Sequence, residues 1–245
     1  MADGCTMNAV PTRRSVLAAI GLGAVGLGLA GCGDRATATA ATSFPEIPLR
    51  VGTRWSARPA GALPTSGDEG VPLRTVQQPA GTPPPSIAGG ALVGHLPPAA
   101  AATYVFQDLT GVVGRIDRLG AVFGFGPGDG YGALALLALD GRPAGSGHIH
   151  LAITPQRWTA GVLVDERLQE VASDAFTAPL PQDGRPLRVD VAHRGDTAVL
   201  ALPDGTMRSL SDPRFATAGA SVAGWEFFRM APGGAEVRFY ETWAG

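Results

Sequence analysis

From residue 103 to the C-terminus, apolar and polar residues alternate in short runs. In "HIHLAIT" (148–154), Ile149, Leu151 and Ile153 fall on one side of an extended chain, and His148, His150 and Ala152 on the other. "LRVDVAH" (187–193) separates Leu187, Val189 and Val191 from Arg188 and Asp190 in the same way. "EVRFYETW" (236–243) separates Val237 and Phe239 from Arg238, Tyr240 and Thr242. In "WEFF" (225–228) aromatic side chains occupy both sides. Trp225 and Phe227 are expected in the core, with Glu226 and Phe228 facing outward or toward the preceding arm. Turn signals such as Asp140-Gly141, Asp183-Gly184, Gly195-Asp196 and Asp204-Gly205 punctuate these runs. Many short strands at regular spacing predict an all-β sandwich or barrel over residues 99–245. No 3.6-residue period is sustained outside one apolar run near the N-terminus, and no internal repeat suggests a propeller.

The upstream residues read differently. Residues 44–98 are rich in Pro and Gly, with short β-like pieces such as Leu49-Arg50-Val51 and Leu73-Arg74-Thr75-Val76. They predict either an irregular arm that lies over the domain and adds an edge strand, or a disordered stalk. Residues 32–43 are small and polar and read as a tether.

Residues 1–31 have the layout of a signal peptide. "PTRRSVL" (11–17), with Arg13 and Arg14, resembles a twin-arginine export motif. The apolar run 18–30 is shorter than the ~20 residues of a spanning helix. "LAGC" (29–32) resembles a lipoprotein lipobox, which implies lipidation of Cys32. The expected location is the outer face of the cytoplasmic membrane, held by that lipid.

Composition narrows the chemistry. The chain has 245 residues and a formal net charge of -2, so no broad basic surface for nucleic acid is expected. All nineteen basic residues are Arg, which removes any lysine base, Schiff base or phosphate-loop lysine. The two cysteines are Cys5 and Cys32, so the exported part has no thiol left for a disulfide or a thiolate metal site.

The cadence "LRVDVAHRGDTAVLALPDG" and the closing strand "VRFYETWAG" resemble a concanavalin A-like jelly-roll β-sandwich of the laminin-G, legume-lectin and laminarinase type. The resemblance covers roughly residues 100–245 and implies a concave sheet that can hold an extended sugar chain. Two enzyme patterns known on this fold are incomplete here. The Glu-x-Asp-x-Glu string of laminarinase-like hydrolases is absent; Asp165-Glu166 and Glu170 do not fit it. The Gln-(Ile/Val)-His strand of alginate-lyase-like enzymes is approached by "HIH" (148–150), but His148 replaces the Gln and no Lys exists for the partner motif.

His148 and His150 therefore have three readings: a ligand-facing pair, a metal site completed by His193, Asp190 or Glu226, or solvated side chains. Trp158 is either a platform for a sugar ring or a plug at the core or rim. Asp129, in "GPGDGYG", is either a turn residue or part of a structural calcium site; no other cofactor is expected. The expected role is binding of cell-wall or environmental polysaccharide, with His148, His150, Arg188, Asp190 and Glu226 as polar contacts. The alternatives are a glycan hydrolase or lyase with an atypical site, built on a pair of carboxylates or on His150 with Tyr131 or Tyr240, and a module that binds an envelope protein.

Overall fold

The computed structural model describes residues 38–94, 96–97, 101–127, 132–139, 148–164, 167–217, 221–229 and 236–245. Its strands are β1 (Thr39–Ala40), β2 (Val51–Arg54), β3 (Gly61–Ala62), β4 (Leu73–Gln78), β5 (Ser86–Ala88), β6 (Ala91–Val93), β7 (Ala101–Asp108), β8 (Arg118–Phe125) and β9 (Gly132–Leu139). They continue with β10 (His148–Ile153), β11 (Arg157–Val164), β12 (Arg167–Ala175), β13 (Leu187–Arg194), β14 (Thr197–Ala201), β15 (Met207–Ser211), β16 (Val222–Arg229) and β17 (Val237–Ala244). Among the described residues the helical elements are one 3-10 turn, Trp55–Ala57, and a short α-helix, α1, Pro213–Thr217.

The strands form two antiparallel sheets packed as a sandwich. The seven-stranded sheet has the order β12-β11-β10-β9-β16-β7-β4. The ten-stranded sheet has the order β1-β15-β14-β13-β8-β17-β6-β5-β3, and β2 pairs with the second half of β17. Residues 44–98 are thus woven into both sheets: β4 is an edge of the smaller one, and β2, β3, β5 and β6 extend the larger one. The Gly195-Asp196 signal marks the β13–β14 hairpin, where Gly195 has a φ of 61°, a conformation that only glycine adopts freely.

The core lies between the sheets and follows the alternation. Ile149, Leu151, Ile153, Trp225 and Phe227 enter it from the seven-stranded sheet, and Val189, Phe123, Val237 and Phe239 from the ten-stranded one. Phe227 and Phe239 meet edge to face across the sandwich, with ring centroids 4.8 Å apart. Trp225 Nε1 donates to the Gly120 carbonyl at 3.1 Å, a polar tie between the two sheets.

The far side of the ten-stranded sheet carries a second organising cluster. Asp190 is 3% exposed and accepts from Arg118 Nε at 2.9 Å, Arg188 Nε at 2.8 Å and Trp243 Nε1 at 2.8 Å. Arg118 also donates to the Ile47 carbonyl and lies over the Phe44 ring, so the cluster fastens the chain entering the domain. Gly120 leaves room for this arrangement, since a Cβ there would sit 2.5 Å from the Trp243 indole.

Removing the shared acceptor strands a guanidinium and an indole N–H in a largely dry site. Asp190→Ala is expected to lower unfolding free energy by about 3–5 kcal/mol in urea titrations. Asp190→Asn, which keeps the shape and one acceptor, is expected to lose less.

Candidate functional site on the outer face of the seven-stranded sheet

Alternation that turns Trp225 and Phe227 inward turns Glu226 and Phe228 outward on β16. On the neighbouring strand β7, Tyr104 and Phe106 turn outward while Val105 enters the core. Register places Tyr104 directly opposite Glu226, and Phe106 opposite Gly224 on one side and Arg74 of β4 on the other. The Tyr104 hydroxyl donates a hydrogen bond to the Glu226 carboxyl. The rings of Tyr104 and Phe106 stack at 5.6 Å with an interplanar angle of 5°. The Arg74 guanidinium lies 5.5 Å from the centre of the Phe106 ring. The result is a continuous series from Glu226 through Tyr104 and Phe106 to Arg74.

Exposure is graded along that series. Glu226 is 2% and Tyr104 7% exposed, Phe106 is half-buried, and Arg74 is exposed. Burial pushes the Glu226 carboxyl up to about 8, against the weaker opposing pull of the Tyr104 hydrogen bond. Burial, and then the nearby Glu226 charge, push the Tyr104 phenol well above its ordinary range. At neutral pH the pair is therefore an uncharged acid beside an uncharged phenol. Asp108, further along β7, is held below the usual carboxylate value by hydrogen bonds from the Thr110 amide and hydroxyl and by the Arg74 charge.

His150 shares this face, two strands away from Glu226 across β9. It is 4% exposed, and burial lowers its pKa to about 4, so the imidazole is neutral at physiological pH. His148 opens β10, but its side chain is outside the described residues, as are Cys32, Arg13, Arg14, Asp129 and Tyr131.

The other expected contacts lie elsewhere. Arg188 and Asp190 belong to β13, which joins the opposite sheet, so they form the fastening cluster and not a group with His150 and Glu226. Trp158 is 2% exposed and packs in the core, with its ring faces closed to a ligand. Tyr240 is in the ten-stranded sheet and donates to the Gly184 carbonyl. His193 is also there: Nε2 donates to the Gly195 and Phe215 carbonyls, and Nδ1 accepts from Arg115, which requires the neutral ring. Among the described residues, no group of three or more His, Cys, Asp or Glu could hold a metal ion.

Tyr104, Phe106 and Arg74 were missed by sequence reasoning, although "TYVFQDL" (103–109) already carried two aromatics at i and i+2. That pattern marks one face of a strand. It does not say that Glu226 will be the neighbour.

No protein-family model matches this chain, and no curated protein matches it in sequence. Solved structures do resemble it. The carbohydrate recognition domain of Emp47p aligns at a TM-score of 0.52 and 11% identity, over 80% of this chain and 94% of that one. A Bacillus subtilis protein of unknown function with a galectin-like fold aligns at 0.50 and 13%, over 76% and 96%. A LamA variant from Z. galactanivorans, in complex with laminaritriose and laminaritetraose, aligns at 0.50 and 10%, over 80% and 98%. The fold is a concanavalin A-like jelly roll. At these identities the likeness extends to the fold alone. Within the jelly roll, the described outer face of the seven-stranded sheet carries the Glu226–Tyr104 pair.

The ionisation of Glu226 is open to direct test. Its carboxyl holds a proton in the fold up to about pH 8 that the unfolded chain releases near 4.5. The group's contribution is therefore complete below the unfolded value and is lost as pH rises toward the folded one. Between about pH 5 and about pH 8, Glu226→Gln should gain stability relative to wild type by on the order of a few kcal/mol. Paired urea titrations at the two pH values measure this. A constant gap would mean that Glu226 is ionised in the fold.

Proposed function

We propose that this chain is an exported, lipid-anchored protein that binds carbohydrate on the outer face of the seven-stranded sheet. The observation that carries the reading is the graded series Glu226–Tyr104–Phe106–Arg74, which fixes an aromatic ring and a guanidinium at the accessible end of a polar, uncharged floor. Sugar sites combine such parts: a flat apolar surface for the CH face of a pyranose, and a few fixed hydrogen-bonding groups for its hydroxyls. The buried members hold the exposed members in place, and Phe106 and Arg74 meet the sugar. That Emp47p supplies a carbohydrate recognition domain on this fold, and LamA a laminari-oligosaccharide complex, supports the reading by analogy.

Binding fits this face better than cleavage. Hydrolysis by paired carboxyls needs two of them within roughly 5–9.5 Å. The described carboxylates of the face that could partner Glu226 are Asp108 and Glu170. Asp108 is opposite Val222, four residues along from the Tyr104–Glu226 pair, roughly 13 Å at strand rise. Glu170 is four strands away, roughly 19 Å at strand spacing.

The anchoring half of the proposal rests on the N-terminal pattern: Arg13 and Arg14, the apolar run, then Cys32. On this reading the lipid holds the protein at the outer face of the cytoplasmic membrane, within reach of polysaccharide.

Two experiments test the two halves. On a glycan array followed by calorimetry, wild type should bind at least one polysaccharide class. Phe106→Ala should weaken that binding about tenfold or more while the circular dichroism spectrum is retained. Array silence, or equal affinity in the variant, would refute the carbohydrate reading. In cell fractionation, Cys32→Ala should move the protein from the membrane to the soluble exported fraction, and an unchanged distribution would refute the anchor.

A further inference from the structure

Arg74 differs from the arginines that are tied into ion pairs. Seven of the described arginines are paired with carboxylates. Arg74 is exposed on edge strand β4, and its recorded contact is with the face of an aromatic ring. Among the described residues its guanidinium donates no hydrogen bond. The same-face anion that acts on it, Asp108, commits its Oδ1 to the Thr110 amide at 3.0 Å and the Thr110 hydroxyl at 2.7 Å. A guanidinium on a flexible stem normally loses side-chain entropy when it grips a ligand. Its place over the Phe106 ring, itself stacked on Tyr104, removes part of that loss in advance. The planar donor fork is left free and matches a carboxylate in two-point contact.

We infer that Arg74 reads a carboxylate on the bound glycan, so that the ligand class is a uronic-acid-containing polysaccharide. The inference rests on the carbohydrate reading of the same face and adds the chemistry of the sugar. Asp108 is the described anion of this face that acts on Arg74; it is exposed, and its Oδ1 is turned to Thr110. Elsewhere the described face does not oppose an anion. The carboxyl of Glu226 is uncharged at neutral pH, His150 is neutral, and Glu170 lies at the far edge of the sheet. Arg157, the other described cation of this face, is engaged with the Ser173 hydroxyl at 2.8 Å and lies diagonally across the sheet.

The test compares oligogalacturonate with its methyl ester, which lacks the carboxylate charge and carries one added methyl group per residue. Wild type should bind the acid about tenfold more tightly than the ester, and the preference should shrink as salt is raised. Arg74→Gln should bring the ratio of the two affinities to within about twofold of unity, whatever happens to the absolute affinity. Arg74→Lys, with charge but no fork, should keep only part of the preference. Arg185→Gln, which changes an exposed charge on another part of the surface, should leave the ratio unchanged. Equal binding of acid and ester by wild type, or an unchanged ratio in Arg74→Gln, overturns this inference and leaves carbohydrate binding standing. Tighter binding of a sulfated oligosaccharide than of galacturonate overturns the carboxylate assignment. Failure of wild type to bind any glycan overturns both readings.

Discussion

A carboxyl group taken out of water needs a partner or a proton, and Glu226 has both. The Tyr104 hydroxyl supplies the hydrogen bond, and burial favours the protonated form at neutral pH. Alternation sets Tyr104 on the outer face of β7, and this contact holds its ring there. Tyr104 in turn supports Phe106, and Phe106 supports Arg74. Each link is modest, on the order of 1 kcal/mol, but each removes freedom from the next side chain. The accessible end of the series is therefore more rigid than an exposed arginine on an edge strand would otherwise be.

The opposite sheet treats a buried carboxylate in another way. Asp190 is surrounded by Arg118, Arg188 and Trp243 donors and stands as an ion-paired hub. Its neighbours Phe44 and Ile47 belong to the segment that leads into the domain, so the hub joins the incoming chain to the last strand. The two faces thus divide the work: one buried acid is spent on holding the arm, the other on ordering a surface.

Much of this was legible in the residues. Period-two alternation in "HIHLAIT" and "WEFF" correctly turned Ile149, Leu151, Trp225 and Phe227 inward and His150 and Glu226 outward. Two of the turn signals, Gly195-Asp196 and Asp204-Gly205, marked real hairpins, while Asp183-Gly184 lies in the connection from one sheet to the other. Alternation is a local property, however, and assigns a face without assigning a sheet. Nothing within "LRVDVAH" says that β13 pairs with β8 and not with β10, so Arg188 and Asp190 were grouped with residues that lie across the sandwich. The Tyr104–Glu226 pair joins strands far apart in sequence, and such pairing is decided by the whole topology. In the Pro- and Gly-rich residues 44–98 the β-like pieces at 49–51 and 73–76 fall at β2 and β4, but the short β3, β5 and β6 carried too little alternation to be read.

The central claim is that a sugar is held at the outer face of β4, β7 and β16. The most direct measurement is an amide chemical-shift titration of isotope-labelled protein, with laminaritetraose and oligogalacturonate as probes. The account predicts that shifts concentrate at Arg74, Tyr104, Phe106 and Glu226 and saturate with a single affinity. Shifts confined to the ten-stranded sheet around Asp190 and Trp243, or no shifts with either probe, would contradict it.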